Sequence, residues 1–122
     1  MDQTGEFVFG AGLLTLGAMI HYVKSQVAHG NIQRNSAIGI RTKATMSSDR
    51  AWEAGHAAAA PMLTATYLAS YSLGVITLVG SLALTLSGVE HVVTIIVPLV
   101  GIFVVLALLT AASIKANSAA RE

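Results

Sequence analysis

The sequence predicts an all-α membrane protein: three transmembrane helices, with a cytoplasmic loop and an interfacial amphipathic helix between the first and second. Three observations lead there. Of 122 residues, 54% are hydrophobic and only 11% charged, where a soluble domain carries about a quarter charged residues. Three apolar stretches approach or exceed bilayer length. Between the first and second lies a polar insert, residues 35–56, which holds the sole Trp and a dense cluster of hydrogen-bonding side chains.

The first stretch, residues 7–23, is interrupted only by Thr15, His21 and Tyr22. A helix rising about 1.5 Å per residue only just crosses a core of about 30 Å at that length, so extra turns are expected at its ends. Asp2 and Glu6 precede it and no base comes before Lys24, unlike the basic start of a secretory signal, so it is expected to stay as an anchor. The second, residues 61–87, is uncharged and longer than a span needs, which implies tilt. The third, residues 92–114, is the most aliphatic. The short connection at 87–91 makes the last two spans an antiparallel hairpin. The whole chain, residues 1–122, has room for one domain.

Orientation follows from charge. Three crossings place Lys24, Arg34, Arg41, Lys43, Arg50, Lys115 and Arg121 on one side, with Asp2, Glu6 and Glu90 on the other. By the positive-inside rule the expectation is a multi-pass cell-membrane protein, N-terminus outside and C-terminus cytoplasmic.

In the insert, the first helix is expected to continue to about His29 and stop at Gly30, since Gly accepts a left-handed conformation. Residues 31–46 hold no helical period and read as an ordered loop. Ser47 or Ser48 can cap a new helix with Asp49 in its first turn. That helix runs to about Ala60, where Pro61 kinks it or marks entry to the second span. Trp52 and His56, four apart, share a face. Trp52 reads as an anchor at the membrane–water boundary and His56 as a packed, hydrogen-bonded ring. Gly39 supplies a backbone angle or a close approach. Arg41 is the main candidate: its guanidinium suits a phosphate, a carboxylate or helix-end carbonyls, as a structural lock before a ligand site, and the competing role is a topology-setting charge at the lipid headgroups.

Asn35, then Ile38-Gly39-Ile40-Arg41-Thr42, then Thr45, Ser47, Trp52 and His56 resembles the signature of the SdpI family of small bacterial membrane proteins. The resemblance covers about residues 31–110. Lys43 departs from it, standing where many members have Pro, as do the alanines after His56 where many have glycine. It implies a binding protein of the immunity or signalling kind: the family's named member protects its producer from a secreted peptide toxin and holds a repressor at the membrane. It also marks Asn35, Gly39, Arg41, Thr42, Thr45, Trp52 and His56 as the motif residues.

The second span carries Thr66, Ser70, Gly74, Thr77 and Ser81, with Thr85 beyond, at spacings of four and three. Small residues so spaced let membrane helices approach closely. The stripe fits internal packing, or docking as an accessory subunit of a larger membrane complex. The expected partners are the lipid bilayer and either another membrane protein or a peptide or regulatory protein. A net charge of +1 without a basic run points away from nucleic acid. There is no cysteine, no pair of His residues has metal-ligand spacing on one helix, and no Walker or dinucleotide loop occurs. No metal, cofactor or catalytic residue is expected, and the chain reads as not an enzyme.

Overall fold

The computed structural model describes residues 4–88 and 92–122. It is all-α: α1 (Thr4–Ala28), α2 (Asp49–Leu86) and α3 (Ile96–Ala120), with single 3-10 turns at Thr45–Ser47 and Val92–Ile95. No strand occurs among the described residues. All three helices are long and apolar enough to cross a membrane. The connection expected at 87–91 falls largely on Val89, Glu90 and His91, which, like Asp2, lie outside the described residues.

The sequence signals at helix ends act as expected. Gly30 takes φ +77°, and its N–H reaches the Val27 carbonyl while that of Asn31 reaches Gln26. This is the paired closure that left-handed glycine permits at a helix C-terminus. Ser48, rather than Ser47, caps α2: its hydroxyl accepts the Ala51 N–H at 3.0 Å.

One expectation needs correction. The segment 49–60 is not a separate interfacial helix but the first three turns of α2, which runs unbroken through Pro61. Proline removes one helical hydrogen bond there, to the carbonyl of Ala57. Both residues are on the exposed side, so the loss falls where the helix has no packing to disturb. At 38 residues, α2 is about 57 Å long. That is nearly twice a bilayer core of about 30 Å, so an upright α2 extends well beyond the hydrocarbon. Pro98 lies in the first turn of α3, where proline's fixed φ is tolerated.

In the bundle, α2 is the spine. α1 and α3 each pack along it and touch each other little. The small-residue stripe is the packing seam: Thr66, Ser70, Gly74, Thr77 and Ser81 are all buried, whereas Thr85 is exposed. Gly10 and Gly74 bring α1 and α2 together, and a Cβ at Gly74 would lie 3.1 Å from the Gly10 carbonyl. Ser70 bonds across to the Leu13 carbonyl at 2.6 Å. Thr66 and Thr77 instead turn their hydroxyls back to Met62 and Leu73. The stripe is therefore occupied from within and offers no docking face.

Nearer the loop, Ala59 and Leu63 meet Ala112 and Ala116 of α3 in a small apolar core. The outward surface is large and apolar, with Phe103 72% exposed. Lipid, not water, is the solvent such a surface requires. At the other end of the bundle Glu6 is buried in the first turn of α1. It accepts the Thr94 hydroxyl at 2.8 Å, while its second carboxylate oxygen has no hydrogen-bond partner among the described residues.

Candidate functional site

The candidate site is the folded loop 29–48 seated on the first turns of α2. It is built from short-range turns and closed by long-range bonds. Asn35 makes the first turn by itself. Its Oδ1 accepts the N–H groups of Ala37 and Ile38 at 2.8 and 2.7 Å, and its Nδ2 donates to the carbonyls of Gln33 and Ile38. An Asn side chain mimics a backbone turn in this way.

Gly39 follows at φ +114°, and the backbone passes directly over the ring of Trp52. A Cβ at Gly39 would sit 2.5 Å from Trp52 Cη2 and 3.1 Å from His56 Nε2. Both expected roles of this glycine, the unusual angle and the close approach, are met at once. Ile40 then donates its N–H to His56 Nε2 at 2.9 Å. Because that nitrogen accepts, Nδ1 carries the ring proton and donates to the Trp52 carbonyl at 2.8 Å. His56 thus reads two backbone groups sixteen and four residues away, and its ring lies 4.2 Å from that of Trp52.

Thr42 and Thr45 exchange bonds. Thr42 N–H donates to Thr45 Oγ1 at 2.8 Å, and Thr45 N–H to Thr42 Oγ1 at 3.1 Å. This reciprocal pattern is that of a capping box, here built from two threonines. Thr45, fully buried, also donates to the Ile40 carbonyl at 2.8 Å. Gly55 permits this approach: a Cβ there would lie 2.8 Å from the Thr45 methyl and 2.9 Å from the Ala116 carbonyl. Loop, α2 and α3 converge on that glycine.

Three placements differ from expectation. Trp52 is not a boundary anchor. It is 2% exposed, beneath Gly39, with its Nε1 directed at the Ile32 carbonyl at 3.4 Å. The lock is not Arg41 but Arg34, which donates to the Met46 carbonyl at 3.0 Å and pairs with Asp49 at 3.3 Å. Arg41 is exposed and makes no side-chain hydrogen bond or ion pair among the described residues. A third feature went unread: His21 stacks on Tyr67 at 4.2 Å and meets the Tyr71 hydroxyl at 3.3 Å. Nothing local in the sequence points to this contact between α1 and α2.

Around the module lie two recesses that share His56. One, of about 530 Å³, lies between the end of α1 and the start of α2 and includes Lys24, His29 and Glu53. The other, of about 220 Å³, is apolar and is lined by residues of all three helices and by Gly39 and Ile40. No cluster of three metal-ligating side chains occurs among the described residues.

Residues 31–113 match the family model described as the SdpI/YfhL protein family. The chain belongs to the SdpI/YfhL protein family. The match takes in the loop from residue 31, all of α2 and α3 as far as residue 113, while α1 lies outside it. No curated protein and no solved structure matches this SdpI-family chain.

Burial holds the His56 pKa below its ordinary value near 6.5, and the bond to the Trp52 carbonyl opposes this only in part. Protonation would also set a second N–H against that of Ile40. The folded protein therefore takes up this proton less readily than the unfolded chain. The stability His56 contributes is complete above about pH 6.5 and is lost as pH falls from there toward the folded-state pKa. Trp52, the sole Trp, reports on this directly. Its emission is expected to titrate with a midpoint below 6.5 and to lose that transition in His56→Gln. A midpoint at or above 6.5 would contradict the assignment.

Proposed function

We propose that this protein is a non-enzymatic binding protein of the immunity or signalling kind at the cell membrane, N-terminus outside and C-terminus cytoplasmic. The loop module is its recognition element, and the partner is a peptide or regulatory protein carrying an acidic group. One observation carries this reading: every motif side chain except Arg41 is spent on holding the loop, and Arg41 stands exposed on that rigid frame. A guanidinium held by a fixed backbone and lacking an internal partner is suited to a carboxylate or phosphate from elsewhere. The hydroxyls of Thr42, Thr45, Ser47 and Ser48 support the non-enzymatic part, since each is committed to a backbone group.

Arg41→Ala is expected to abolish the protective or signalling phenotype while the protein accumulates in the membrane at its normal level. An exposed, unpaired side chain away from special features changes stability by only about 0.5 kcal/mol. Retained phenotype, or loss of the protein itself, would refute the reading. The accessory-subunit alternative keeps only the outward face of α3 as its docking surface. A gentle-detergent pull-down separates the two: a stoichiometric large membrane complex favours it, and a soluble regulator or small peptide favours recognition by the loop.

A further inference from the structure

We infer that the recess between the end of α1 and the start of α2 binds a phosphoethanolamine group, its phosphate at Lys24 and its ammonium at Glu53. Its volume of about 530 Å³ is within the roughly 300–1,000 Å³ of sites that enclose small molecules. Lys24 comes from α1 and Glu53 from α2, and both line the recess. Opposite charges on neighbouring helices can satisfy each other by pairing. Here they do not: neither Lys24 nor Glu53 forms an ion pair or side-chain hydrogen bond with any described residue. Both charges are left to a molecule that carries their two complements.

A third polar group selects the kind of cation. His29 also lines the recess, and its Nδ1 donates to the Ser25 carbonyl at 2.7 Å, an oxygen that can only accept. In the neutral ring this leaves Nε2 as an acceptor. A primary ammonium has three N–H groups, enough for the Glu53 carboxylate and that nitrogen together, whereas a trimethylated one has none. Lys24, a point charge with three donors, suits the phosphate. His56 adds only a wall, because both its ring nitrogens are engaged within the protein. Val27 and Leu63 line the same recess, so it joins charged side chains to hydrocarbon ones. That suits the headgroup of phosphatidylethanolamine, and the same group free in solution shares the chemistry recognised. Arg41 is not part of this site, which goes beyond the recognition role proposed for the loop.

The experiment is native mass spectrometry of the purified full chain in mild detergent, with phosphatidylethanolamine, phosphatidylcholine and phosphatidylglycerol of identical chains added in turn. One phosphatidylethanolamine per chain is expected to be retained, about fivefold over either other lipid, the order of one hydrogen bond or one partly exposed charge pair. Glu53→Ala should erase the preference over phosphatidylglycerol, which has the phosphate but no ammonium. Lys24→Gln should lower retention of all three lipids, since each carries the phosphate. Ala57→Phe, at an exposed position that lines the recess, should exclude the group by filling its space. Arg41→Ala should bind as the unaltered protein does, so this site and the role of the loop stand or fall separately. Excess free phosphoethanolamine identifies the source: displacement of the lipid means that the group is bound on its own, and no displacement means that it is bound as a lipid headgroup. Equal retention of the three headgroups, or a preference over phosphatidylglycerol that survives Glu53→Ala, would overturn the site.

Discussion

Gly39→Ala is expected to lift the loop off α2 while leaving the three helices in place. Two costs coincide at one methyl group. The residue must hold φ +114°, a conformation that costs a non-glycine residue about 1–3 kcal/mol. The methyl must also enter space 2.5 Å from Trp52 Cη2 and 2.8 Å from Cζ2, and such overpacking typically costs about 1–3 kcal/mol more. The loop has little to set against this. Arg34–Asp49 is a largely exposed pair and is worth no more than about 1 kcal/mol, and the remaining closure rests on the hydrogen bonds at His56 and Thr45. Trp52 emission should shift to the red and become open to soluble quenchers, with the helical circular dichroism unchanged. Adding Trp52→Leu should cost less than the sum of the two single changes, because it removes the clash. A buried Trp52 signal in Gly39→Ala would refute the close contact of Gly39 with the ring.

Gly74→Leu is expected to part α1 from α2. Its Cβ would already lie 2.9 Å from Leu14 Cδ2 and 3.1 Å from the Gly10 carbonyl oxygen. A leucine tip can rotate away, but a helix backbone can yield only by moving the whole helix. The cost should exceed the roughly 1–3 kcal/mol usual for overpacking, and it takes the Ser70–Leu13 bond with it. Gly80→Leu is the matched control, since a Cβ there meets nothing within 4 Å. Unfolding in graded denaturing detergent should begin earlier for Gly74→Leu and stay unchanged for Gly80→Leu. Equal losses from both would mean that leucine content, not helix approach, is responsible. The outcome also bears on assembly, because a buried stripe predicts loss of the monomer's own fold rather than release from a complex.

The spans were legible because a bilayer imposes length and hydropathy on any helix that crosses it, and those are properties of consecutive residues. The stop at Gly30 and the cap at Ser48 were legible for a related reason: each acts within five residues of itself. Asn35 belongs here too, since all its bonds lie within three positions. The stripe on α2 was legible as a packing face, but not what it packs against. What escaped the reading was contact between distant residues. Trp52 looked like a boundary residue because nothing in its neighbourhood reveals that Gly39 lies over it. Arg34 and Arg41 are alike as amino acids in a polar loop. One lies within reach of Met46 and Asp49, the other does not, and only the folded loop makes the distinction. Glu6 likewise gains its Thr94 contact from a residue 88 positions away.

Local composition and periodicity therefore settled the helical class, the number of candidate spans and the place of the loop, while the family resemblance marked the motif residues. The tertiary structure decided their division of labour. The bond energies within the loop are individually small, and which side chains are consumed in closing it depends on where the backbone returns to α2. That return is governed by one glycine angle and two rings, and it leaves Arg41 as the motif side chain still free to meet something else.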